Sequence, residues 1–110
     1  MLTFELHLEI IELASIFCSY NKQEQCNFLQ YVQDEYAAMD DEFTFIIDII
    51  ITELYNHLDD TPTELEEFEQ MKDELCENLE VKLVQACEKH PQSMEMLQIV
   101  INNILYHAKL

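Results

Sequence analysis

The chain contains no glycine and no arginine, and it sets five lysines against twenty-three aspartates and glutamates. Each shortage removes a class of function. Without glycine there are no phosphate-cradling loops, no nucleophile elbows, no two-residue glycine hairpins and no Ca²⁺ loop with its central glycine. Without arginine, and with so few lysines, the chain cannot neutralise phosphates, so direct nucleic-acid binding is excluded and anionic membranes are repelled. No apolar run exceeds four residues, so no transmembrane span is expected. Glu5, Glu9 and Glu12 interrupt the apolar N-terminal segment, which therefore does not read as a signal peptide.

The four cysteines, Cys18, Cys26, Cys76 and Cys87, form no C-x-x-C pair. They read as free, mostly buried thiols in a reducing, cytoplasmic setting. His7, His57, His90 and His107 never fall at zinc spacing with each other or with a cysteine. No glutamate has a histidine three residues later, which removes the carboxylate-bridged di-iron bundle. Glu53 and His57 lie four apart, but Tyr55 and Asn56 offer no further ligand. Glu9 with Glu12, Glu66 with Glu69 and Glu77 with Glu80 have the spacing of Mg²⁺-binding carboxylate pairs. Such pairs arise by chance in a chain this acidic, and phosphate chemistry also needs a cation to hold the substrate. No enzyme, metal or cofactor is expected.

What is present is apolar periodicity. At 110 residues and 49% apolar content, the chain is long enough for one domain with a real core. The expected fold is all-α: a single domain over residues 1–110, a compact bundle of about five mostly antiparallel helices. The first helix runs from Thr3 to Tyr20, with Leu6, Ile10, Leu13 and Phe17 on one stripe and Phe4, Leu8 and Ile11 beside it. Asn21 and Glu24 form a capping box for a second helix to about Ala38, with Cys26, Leu29, Val32 and Tyr36 inward. Asp40 and Asp41 offer caps for a third, from Glu42 to Leu58. That segment is rich in β-branched residues, yet Thr44, Asp48, Thr52 and Asn56 recur every four positions, which marks a helix and not a strand.

Thr61-Pro62-Thr63-Glu64 reads as the start of a fourth helix that runs to Lys89. Leu65, Phe68, Met71, Leu75 and Leu79 face inward. Val81 and Val84 leave that stripe, which requires a bend near Asn78 or a cover from another element or subunit. The fifth helix spans Gln92 to Ala108, with Leu97, Val100, Ile101, Ile104 and Leu105 on its main face and Met96 and Ile99 widening it. Glu95, Gln98, Asn102 and Lys109 form its polar edge. Helices one, three and five read as interior, two and four as exterior, and the short connections favour an up-and-down arrangement.

Between Glu64 and Glu80 there are eight carboxylates and one lysine, Lys72. Glu66, Glu69, Asp73, Glu77 and Glu80 follow i, i+3, i+4 spacing and line one side of the fourth helix. The segment is about 24 Å long, so its carboxylates fall about every 3 Å, near the spacing of phosphates along one nucleic-acid strand. Like charges at this spacing each cost a few tenths of a kcal/mol. Asp34, Glu35, Asp59 and Asp60 are candidate rim contacts, and Tyr31, Tyr55 and Phe68 are candidate anchors if exposed.

The expected function is inhibition of a basic partner, as an immunity protein or antitoxin occupying the cationic cleft of a nuclease-type toxin. A phage-type nucleic-acid mimic, which disarms a host enzyme, is the second reading. The third is a structural homodimer or complex subunit with incidental acidity, in which Val81, Val84, Met94 and Met96 form an apolar interface.

Overall fold

The computed structural model describes residues 3–36, 44–59 and 63–108. They form five α-helices: α1 (Phe4–Ser19), α2 (Lys22–Tyr36), α3 (Thr44–Asn56), α4 (Leu65–Lys89) and α5 (Met94–Ala108), with a single 3₁₀ turn (Pro91–Ser93) before the last. Among the described residues there is no strand.

The helix ends follow from local chemistry. The hydroxyl of Thr3 accepts a hydrogen bond from the Leu6 amide at 3.1 Å and caps α1. The capping box of α2 forms as its residues predict: the Asn21 side chain accepts from the Glu24 amide at 2.8 Å, and the Glu24 carboxylate from the Asn21 amide at 2.9 Å. With no glycine to adopt a left-handed cap, no described residue has positive φ. Instead α1 ends by turning straight into extended backbone at Tyr20 (φ −77°, ψ 147°).

Two boundaries differ from expectation. Thr63 and Glu64 lie outside α4, which begins at Leu65 with a Glu64 cap that makes no side-chain hydrogen bond. A cap motif is worth only about 1 kcal/mol, and most helical stability comes from packing. Here Leu65 is 74% exposed and packing begins at Phe68. The fifth helix starts two residues later than expected, because Pro91 opens the 3₁₀ turn first. The expected caps at Asp40, Asp41 and Thr61, the helix segments at Ala38, Glu42 and Pro62, and Lys109 lie outside the described residues.

The buried faces agree with the periodicity in α1, α3 and α5. Leu6, Ile10, Leu13 and Phe17 are fully buried, as is most of the Leu97, Val100, Ile101, Ile104 and Leu105 face. Phe4, Leu8 and Ile99 are exposed, so those faces are narrower than expected. In α2 the inward face is Gln25, Phe28, Leu29 and Val32, and Cys26 points to solvent.

Packing order differs from chain order. The α1 helix packs against α4 and α5, α4 also against α3, and α3 against α2. Thus α4 is an inner neighbour of two helices, not an exterior element. Side chains close the ring: the Tyr31 ring lies 4.9 Å from that of His107, and Tyr36 hydrogen-bonds Asn103, joining α2 to α5. The order around the ring is α5, α1, α4, α3, α2.

Cross-contacts fix the directions. His7 meets Glu80, Phe45 meets His90 while His57 meets Asn78, and Gln25 meets Asp59, so α1/α4, α3/α4 and α2/α3 are antiparallel. Gln98 donates to Glu9 at 2.6 Å near the start of both helices, and Tyr20 to the Ala108 carbonyl at 3.1 Å near their ends. The α1/α5 pair is therefore parallel. A closed ring with an odd number of helices cannot alternate throughout, and this pair is where the alternation fails. The bundle is mostly antiparallel, and its helices alternate up and down in chain order from α1 to α5, although neighbours in the ring are not always neighbours in the chain.

Candidate protein-interaction surface

The inner seam of α4 is Leu75, Cys76, Leu79, Leu83 and Cys87. It lies on one continuous helix, from Leu75 to Cys87, and Val81 and Val84 stand on a flank beside it. The acidic residues beside this seam face the α1 side. Asp73, Glu77 and Glu80 line a shallow groove with Lys72, His7 and Ile11.

The five expected residues divide into two kinds. Glu69 accepts a hydrogen bond from Lys72 at 2.8 Å, and this bond raises the Lys72 ammonium above its ordinary pKa. Glu80, half-buried, bonds the His7 ring. Glu66, Asp73 and Glu77 are exposed and make no hydrogen bond or ion pair among the described residues. The uncompensated charge of the stripe therefore rests on these three.

The rim candidates are not gathered with them. Asp34 accepts from Gln30 at 2.9 Å on the exposed side of α2. Glu35 lines a cleft of about 250 Å³ with Tyr36, Asn103 and His107, where α2 meets α5. Asp59 follows α3, its amide held by Gln25 at 3.0 Å. Asp60 lies outside the described residues. Of the aromatic candidates only Tyr55 is exposed; Tyr31 and Phe68 pack against the core.

Two groups went unseen in the sequence. One is an apolar groove of about 770 Å³ between the start of α1 and the second half of α4, walled by Phe4, Val81 and Val84 with Glu80 and Glu88 at its edges. The off-stripe valines were the visible signal, but nothing in the sequence placed Phe4 opposite them. Met94 and Met96, expected beside the valines in an apolar interface, pack against the core and do not line this groove. The other is a polar cluster at the α3/α4 seam, where Glu53, 2% exposed, meets His57 at 3.1 Å and bonds Lys82.

Burial pushes the Cys76 thiol up to about 11, with further contributions from Glu80, Asp73 and Glu77, and burial alone lifts Cys18 to about 11 against the opposing charge of Lys72. Neither is an activated nucleophile. Among the described residues, no three histidine, cysteine, aspartate or glutamate side chains converge to hold a metal ion. No described helix is long and apolar enough to cross a membrane.

The described residues thus form an all-α bundle of five helices with one strongly acidic helix flank. The chain matches no protein-family model, and no curated protein and no solved structure is similar to it.

Proposed function

We propose that this chain is an acidic binding protein that inhibits a basic partner, acting in the cytoplasm as an immunity protein or antitoxin against a nuclease-type toxin. It is not itself an enzyme. The observation that supports this reading is the set of exposed, unpaired carboxylates Glu66, Asp73 and Glu77 on α4, of which Asp73 and Glu77 line the groove beside α1. A net charge of −18 raises the encounter rate with a cationic protein and disfavours acidic ones. A nuclease must present a cationic cleft to its substrate, and a rigid helix carrying carboxylates can lie across that cleft.

The arrangement supports a local patch over a mimic of duplex nucleic acid. A mimic needs carboxylates along two parallel edges, whereas Asp34 and Glu35 sit on α2, across the ring from the α4 row.

The test is capture of partners from native lysate at low and high salt, beside a variant with Glu66, Asp73 and Glu77 changed to lysine. The expected result is one basic protein, released by salt and lost by the variant, with affinity lowered more than ~10-fold. Retention of the same partner by the variant would sink the reading.

A further inference from the structure

The groove between α1 and α4 is unusual for so acidic a protein. Its apolar wall includes Phe4, 76% exposed, and Val81, 50% exposed. Exposed apolar area costs about 25 cal/mol per Å², and a contiguous patch of it marks an interaction surface more often than a scattered residue does. At about 770 Å³ the groove has room for more than one large side chain.

Charge selects the occupant. Glu80 and Glu88 edge the groove, and no lysine lines it. The same Glu80 and His7 also line the neighbouring groove with Asp73 and Glu77, so the apolar groove and the acidic row adjoin at this pair. A second copy of the chain would bring another −18 against this surface. A segment that buries an apolar side chain while offering cations on either side meets no such repulsion.

We infer that this groove is the anchor site for a basic amphipathic segment of the partner. An aromatic or leucine side chain of that segment seats against Phe4, Val81 and Val84, while its lysines or arginines reach Glu80 and Glu88 and continue along Asp73 and Glu77. This rests on the proposed function and adds to it: the carboxylates set the rate and sign of the encounter, and the groove fixes where the partner settles. Buried apolar anchors inside a polar rim carry most of the energy of known interfaces.

The experiment uses two fluorescent twelve-residue peptides of equal positive charge. One carries leucine and lysine at helical spacing; in the other, serine replaces leucine. Fluorescence anisotropy should show the leucine peptide binding at least ~10-fold more tightly. Val81→Gln and Phe4→Ser, at exposed positions that leave the core intact, should erase that preference without changing the affinity of the serine peptide. Asp73→Lys with Glu77→Lys should weaken both peptides.

Equal affinities for the two peptides, or a preference that survives both groove variants, would overturn the anchor site. If the lysine variant still weakens both peptides, the acidic binding reading stands alone. If it weakens neither, that reading fails as well. A dimer in sedimentation that Val81→Gln dissolves would also overturn the inference, because the groove would then belong to a second copy.

Discussion

Lys82 reaches from α4 to the carboxylate of Glu53 on α3, which is 2% exposed. His57, one turn on, lies 3.1 Å from the same carboxylate, and Asn78 lies 3.4 Å from His57. Burial pushes the Glu53 carboxyl up, but the hydrogen bond and charge of Lys82, helped by His57 and Asn78, outweigh it and hold the group below its ordinary value. In a chain with five lysines, one is spent on a single internal carboxylate.

That balance gives a pH signature. A carboxyl held low when folded adds stability above its unfolded pKa of about 4.3, and the contribution fades as pH falls through the folded value. Denaturation should show wild type losing stability relative to Glu53→Gln as pH drops from 6 towards 3 (roughly the window set by those values). Lys82→Met should cost about 1–3 kcal/mol at neutral pH, less than a fully buried pair because the lysine is half exposed.

Gln25 ties three segments together from a buried position, donating to the Phe17 carbonyl at 3.1 Å and accepting from the Asp59 amide at 3.0 Å. Gln25→Leu keeps the apolar packing but removes both bonds, leaving the Phe17 carbonyl with the Tyr20 amide as a remaining partner. The expected loss is about 1–2 kcal/mol, for two hydrogen bonds made by one buried amide. Urea denaturation, with an unchanged m-value, checks it.

The thiols should separate by reactivity. Cys26 is exposed, whereas Cys18, Cys76 and Cys87 are buried. At pH 8 a thiol near 11 is only about a thousandth thiolate, and burial adds a steric block. A chromogenic disulfide reagent should therefore modify Cys26 alone in the native protein and the other three only on unfolding. A second fast thiol would contradict the packing of α1 on α4.

Self-repulsion at −18 should make the fold salt-dependent. The Debye length falls from about 10 Å at 0.1 M salt to about 3 Å at 1 M. Thermal unfolding in sodium chloride should show Tm rising by about 5 °C over that range, equivalent to about 1 kcal/mol. Glu66, Asp73 and Glu77 changed together to glutamine should raise Tm at low salt and flatten the dependence.

Much of the fold was legible because it is written locally. The Asn21–Glu24 box needs only its own four residues, and the period-four polar positions of α3 outweigh the β-branched run that mimics a strand. What failed depended on partners distant in sequence. Cys26 was read as inward, but the neighbouring Gln25 is buried instead, held by two backbone partners, and Cys26 faces solvent. The Thr61–Glu64 motif was read as a helix start, but α4 begins at Leu65, which is 74% exposed, and packing begins only at Phe68. For the site, helical spacing groups Asp73, Glu77 and Glu80, which line one groove. It could not show that Lys72 engages Glu69 and His7 engages Glu80, nor that Phe4 stands opposite Val81.

The parallel pairing of α1 with α5 has a consequence for synthesis. The helices that α1 packs against begin at Leu65 and Met94, so α1 is made long before the partners that cover it. Long sequence separation between contacting segments slows folding relative to a bundle whose neighbours follow in order. During that wait the apolar stripe of α1 lacks its final cover. Glu5, Glu9 and Glu12 interrupt that apolar segment with charge, a pattern that disfavours association of exposed apolar segments.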